Sequence, residues 1–142
     1  MESVDLSRFL EAQVGMHQCA SAEISAGRKR THWMWFIFPQ LHGLGQSNLA
    51  RKYSLKDETE ARAYLGHPVL GPRLRQMVAL VGASAQTPEQ IFNSDACKYL
   101  SCLTLFALVD EEGYFQRELS KQWNLKRCSF TVDSIRRARG MA

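Results

Sequence analysis

The run Ala96-Cys97-Lys98-Tyr99-Leu100-Ser101-Cys102-Leu103-Thr104-Leu105-Phe106-Ala107-Leu108-Val109 decides the fold. Wound as a helix at about 100° per residue, it is apolar on nearly every side. Its polar residues Lys98, Ser101 and Thr104 continue a row that begins at Asp95, each three positions after the last. Such a helix is stable in water only when neighbours cover it. It is therefore expected at the buried centre of an all-α domain, opened by Ser94 or Asp95 and closed by Gly113 after three acids.

Outward from this centre the helical signals continue in both directions. Upstream, Thr87-Pro88-Glu89-Gln90 reads as an N-cap, a proline at the first helical position and a capping-box glutamine. Pro72 fits the first turn of a helix running through Leu74, Met77, Val78 and Val81 to a stop near Gly82. Asp57 caps a helix to Leu65, and Ser47 caps one through Tyr53. One long amphipathic helix is expected from Asp5 to Ala26, stopped by Gly27. Its Gln13 and His17 point toward the apolar face of Leu6 and Phe9, where polar groups require partners. Downstream come a helix from Tyr114 to Trp123 and a basic one near Ser134 to Arg139. No repeat or linker interrupts the series. The expectation is one compact multi-helix domain over residues 1–142.

Composition agrees. With 142 residues, 45% of them hydrophobic and 23% charged, the chain has the make-up of one globular domain. At this length about two-thirds of the unfolded surface can be buried, so neither a disulfide nor a metal is needed to make a core. The four cysteines contain no C-x-x-C pair, and on a helix Cys97 and Cys102 would lie about 140° apart. Neither a metal site nor a cofactor is expected. The start carries acid before any apolar run, and the longest strongly apolar run, Trp33 to Phe38, is far short of the ~20 residues that span a bilayer. A cytoplasmic protein without membrane contact is expected. The net charge of +4 is uneven: from Tyr114 onward seven basic residues face only Glu118 and Asp133. A solvated helix surface explains this more simply than nucleic-acid binding, because aromatic residues do not alternate with the charges.

Three groups of residues carry candidate chemistry. The row Asp95, Lys98, Ser101 and Thr104 either forms a surface ion pair with hydroxyls bonded back to the helix, or lines a pocket. In the second case Asp95, at the positive end of the helix dipole, would activate water or stabilise a cationic transition state. The turn Gly43-Leu44-Gly45-Gln46-Ser47 either caps a helix or presents N–H groups to a phosphate, with Arg51 one turn on. It lacks the Walker lysine. The block His32-Trp33-Met34-Trp35-Phe36-Ile37-Phe38-Pro39-Gln40 forms a short helix or wound loop closed by Pro39. Its indoles either fill the core or stack a planar ligand beside the titratable His32.

A family resemblance rests on Arg8-Phe9-Leu10-Glu11-Ala12-Gln13, the tryptophan block, Gly43 to Ser47, Ala63-Tyr64-Leu65-Gly66-His67-Pro68-Val69-Leu70-Gly71 and Thr104-Leu105-Phe106. These residues resemble the bacterial domain-of-unknown-function family 1810 over about residues 5 to 110, with the chain departing from the pattern beyond Phe115. The resemblance implies a compact, mainly helical cytoplasmic domain. Some members carry the label calpastatin, which nothing in these residues supports. A fainter similarity, through Leu10 to Gln13 and the helix after Leu70, links the chain to NADAR-type N-glycosidases, small helical proteins that act on ADP-ribose-linked compounds.

Two functions compete. In the first, the protein binds a phosphorylated, nucleotide-like or ADP-ribose-derived small molecule and cleaves an N-glycosidic bond. Asp95, Glu11 and His32 are then the candidate catalytic groups, and Gln13, Trp33, Trp35, Gln40, Gly43, Gly45, Ser47, Arg51, Lys98 and Ser101 the ligand contacts. Gln13, His32, Trp35, Gln40 and Asp95 should then converge on one concave site. In the second, the tryptophans are core and the chain is a non-enzymatic helical adaptor whose basic C-terminal face docks an acidic protein partner.

Overall fold

A computed structural model describes residues 4–140; residues 1–3 and 141–142 of the expected domain lie outside the described residues. Helices joined by loops make up the described chain: α1 Ser7–Gln13, α2 Met16–Ser25, α3 Met34–Ile37, α4 Asn48–Lys52, α5 Glu58–Gly66, α6 Leu70–Ala83, α7 Pro88–Phe92, α8 Ala96–Val109, α9 Tyr114–Trp123 and α10 Ser129–Ala138. The only extended pairing among the described residues is an isolated parallel bridge between Leu41 and Leu55.

The all-α architecture is the one expected, and α8 is its centre. Tyr99 and Leu100 through Phe106 are buried, and α5, α7, α9 and α10 all pack against the helix. Around it Phe38, Phe92 and Tyr99 meet edge-on or stacked at centroid distances of 4.6 to 5.6 Å. The capping signals act as read. Ser47 accepts the Ala50 N–H, Asp57 accepts the Glu60 N–H, and Thr87 with Gln90 closes a full capping box.

Two elements depart from expectation. The single helix from Asp5 to Ala26 is two, because Gly15 takes φ 74° and turns the chain between α1 and α2. An L side chain rarely adopts that backbone. The last helix begins at Ser129, five residues before the expected Ser134. Its opening Ser-Phe-Thr-Val has poor intrinsic helicity. Burial of Thr131 and Ile135 against α8, together with a hydrogen bond from the Cys128 N–H to Thr104 Oγ1 (3.0 Å), fixes it instead.

Of the two polar residues on the apolar face that require partners, His17 lacks one for a ring nitrogen. Its Nε2 is buried without a partner among the described residues, and burial, with the nearby Arg73 charge, holds its pKa below the usual range. No helix of the described residues is long and apolar enough to cross a membrane.

Candidate functional site

Between the loop of residues 40–45, one side of α8 and the entry to α10 lies a cavity of about 380 Å³. Gln40, Leu44 and Gly45 form one wall, Cys97, Lys98, Leu100 and Ser101 the second, and Arg127, Cys128, Ser129 and Phe130 the third. Each wall has a local cause. Gln40 is held by the bridge, where its carbonyl accepts the Leu55 N–H (2.9 Å). Gly45 sits so close to Ala50 that a Cβ there would overlap the alanine methyl. On α8, Ser101 donates its hydroxyl back to the Cys97 carbonyl (2.9 Å), which leaves its oxygen as a polar edge of the cavity.

The electrostatics are cationic. Lys98 Nζ bonds Asp95 Oδ1 (2.7 Å), and Lys29 Nζ bonds Asp95 Oδ2 (3.0 Å), which leaves one positive charge of the trio uncompensated. Burial raises the Asp95 pKa, but the two lysines outweigh it and hold the carboxyl below the usual range. Arg127 adds an exposed guanidinium at the mouth. Gln40 is 8% exposed, and its side-chain amide faces the cavity with no hydrogen-bond partner among the described residues. Among the described residues the wholly buried side-chain polar atoms without a partner are His17 Nε2 and Trp123 Nε1, so the Gln40 amide meets solvent through the cavity, and a ligand that engages it takes the place of water there. All four cysteines are free thiols.

The residues singled out from the sequence divide into two sets. Gln40, Gly45, Lys98 and Ser101 share this cavity. Asp95 stands behind it, joined through Lys98. Although it is the N-cap residue of α8, its side chain accepts no helix N–H and turns to the lysines. The remaining candidates lie elsewhere, so the five residues expected to converge do not meet in one place. Gln13 is buried and satisfied: its amide donates to the Phe36 carbonyl (2.8 Å) and Tyr64 hydroxyl (3.1 Å), and its oxygen accepts from Arg73 (3.2 Å).

Trp33 is wholly buried, with its indole N–H on Glu23 (3.1 Å), and Trp35 is half-buried against the core. His32 and Glu11 are exposed. Ser47 is occupied as the α4 cap, Arg51 reaches only Gln46 at 3.5 Å, and Gly43 is an exposed turn residue beneath the Phe130 ring.

Arg127, Cys128, Ser129 and Phe130 complete the cavity without having been singled out. The available signal was the spacing of Thr131 and Ile135, one helical turn apart, which moves the start of α10 back to the cavity. A second concavity, of about 310 Å³, includes Arg62, Arg75 and Asp110, but Arg62 is already paired with Glu58 and Glu111. Among the described residues no group of three or more His, Cys, Asp or Glu could hold a metal ion.

Comparison with known proteins adds family and fold. No curated protein matches the chain. The chain is similar to the conserved hypothetical protein Rv1873 from Mycobacterium tuberculosis, whose crystal structure at 1.38 Å shares 41% sequence identity at a TM-score of 0.90, over 94% of this chain and 98% of that one. The family model described as protein of unknown function (DUF1810) matches residues 3–135. That span corrects the expected limit near residue 110: it takes in α9 and the start of α10, and so all three walls of the cavity. The chain belongs to the DUF1810 family of proteins of unknown function.

Proposed function

We propose that the cavity binds a phosphorylated, nucleotide-like small molecule. The observation that carries this reading is Gln40, a residue only 8% exposed whose amide has no partner among the described residues and opens to a cavity lined by Lys98 and Arg127. An amide offers a donor and an acceptor side by side, the pair that recognises a base edge. The cations suit a phosphate. Stacking, expected of Trp33 or Trp35, falls to Phe130, the aromatic ring that lines the cavity. At about 380 Å³ the cavity lies near the small end of ligand sites, roughly 300–1,000 Å³, so it suits a mononucleotide better than a whole ADP-ribose group.

Hydrolysis of an N-glycosidic bond is the reaction Asp95 would serve. Both its oxygens are held by lysines, which keep it ionised, and it would face the ribose once Lys98 turns from it to the phosphate. A second reading, an adaptor for an acidic protein partner, draws on the exposed Lys126, Arg127, Arg136 and Arg137 near the C-terminal end.

Thermal shift with AMP, GMP, ribose 5-phosphate and ADP-ribose tests the binding. A ligand at 100 times its dissociation constant stabilises by about 2.7 kcal/mol, on the order of 10 °C for a domain of this size. AMP or GMP should give the largest rise. Release of free base by wild type and Asp95→Asn tests the chemistry, with a loss of roughly 10²-fold or more expected in the variant. Binding without release removes the hydrolysis, and no shift with any of the four gives way to the adaptor.

A further inference from the structure

The cavity's third wall is a helix end whose donors nothing in the described chain uses. α10 is ten residues long, and its N-cap residue Cys128 makes no side-chain cap. The Cys128 N–H is taken by Thr104 Oγ1, and the first N–H bonded inside the helix is that of Val132, to the Cys128 carbonyl. The N–H groups of Ser129, Phe130 and Thr131 are thereby left without an acceptor among the described residues, at the positive end of the helix dipole. The Cys128 side chain does not fill this role, since it accepts the Thr131 hydroxyl at 3.3 Å.

An uncapped helix end by itself has solvent for a partner. Here it shares its cavity with Lys98, Arg127 and, independently, Gln40, a residue 8% exposed whose amide opens to the cavity with no partner among the described residues. We propose that the N-terminus of α10 is the phosphate subsite of this cavity, where the N–H groups of Ser129 to Thr131 and the charges of Lys98 and Arg127 hold a phosphoryl group opposite the Gln40 amide. This rests on the reading of the cavity as a nucleotide site and assigns its two ends: phosphate to α10, base to Gln40 and Phe130. Backbone donors and cations make such a site selective for a doubly charged phosphomonoester over a neutral nucleoside.

The Cys128 thiol lines the same wall and reports occupancy. The probe is inorganic phosphate, and the readout is the rate at which neutral iodoacetamide alkylates each cysteine, resolved by mass spectrometry. Saturating phosphate should slow Cys128 at least tenfold relative to chloride at equal ionic strength, leaving the exposed Cys19 on α2 unchanged. Ser129→Pro removes one donor while keeping the helix, because proline is favoured at the first helical position and Cys128 already has extended backbone, φ −78° and ψ 110°. It and Arg127→Gln should each raise the phosphate concentration needed for protection about tenfold.

Phosphate that fails to protect Cys128 in the wild type overturns the subsite, even if AMP binds. Protection that is equal in both variants and the wild type also overturns it. Phosphate protection of Cys128 without any thermal response to nucleotides leaves the subsite standing and overturns the nucleotide reading.

Discussion

Gln13 and Gln40 are both buried, yet one is a strut and the other a contact in waiting. Gln13 spends both ends of its amide on Phe36, Tyr64 and Arg73, tying α1 to the tryptophan block, to α5 and to α6. Gln40 has its backbone tied and its side chain free. Both are glutamines in apolar surroundings, so only the partners reveal which one is available. The same distinction explains Glu23. Its carboxylate accepts the Arg30 and Thr31 N–H groups, the Thr31 hydroxyl and the Trp33 indole N–H. Burial raises its pKa, but these bonds prevail and bring it to about 2 from 4.5. A depressed carboxylate pKa means the stabilisation is complete above about 4.5 and is lost as pH falls through about 2. Glu23→Gln should lower stability at pH 7 by about 1 kcal/mol, with solvent screening taken into account, and the deficit should shrink as pH falls below 4.5. Urea denaturation at pH 7 and near pH 3 measures it; an equal deficit at both would mean the charge is not what holds the loop.

At the scale of elements, the break between α1 and α2 shows what periodicity alone misses. Leu6, Phe9 and Gln13 continue into His17 with helical spacing, and a left-handed glycine in the middle leaves that spacing intact. Nothing lies within 4 Å of a Cβ built on Gly15, so any cost of a side chain there is purely backbone. Gly15→Ala should therefore destabilise by about 1–2 kcal/mol, the left-handed penalty for an L-residue, against the small gain alanine would give inside one continuous helix. Chemical denaturation decides between the signs, and a stabilised variant would mean α1 and α2 can fuse. The elements read most accurately, α7, α8 and α9, are those whose ends carry local chemistry or whose pattern is overwhelming: the Thr87 box, the apolar run and Gly113. α10 is less legible because its start is fixed by contact with Thr104, twenty-four residues away. The site inherits that gap. Its first two walls lie in segments whose polar residues draw attention, whereas Arg127 to Phe130 acquire their meaning only when α10 packs on α8.

In the molecule as a whole α8 is the axis: α5, α7, α9 and α10 pack directly on it, and α2 and α6 form a further layer reached through α5 and α9. α10 differs from α5 and α9 in that its main packing partner is α8 alone: Arg136 and Arg137 are exposed, and its last turn is pinned to α5 by the Arg139–Glu58 ion pair (2.6 Å). Local opening of α10 therefore uncovers Thr131 and Ile135 without disturbing the aromatic cluster of Phe38, Phe92 and Tyr99, whereas exposing α8 requires the whole domain to come apart. Amide hydrogen exchange should accordingly be slowest in α8, at the rate set by global unfolding, and at least tenfold faster in α10. Because the cavity's third wall is the first turn of α10, a bound ligand must order that turn to use it. Saturating AMP should slow exchange across α10 more than global stabilisation slows it in α8, while α2, on the far side of α6, follows only the global change. Equal slowing everywhere would place the ligand outside the cavity. Exchange in free α10 as slow as in α8 would show that the helix belongs to the cooperative core.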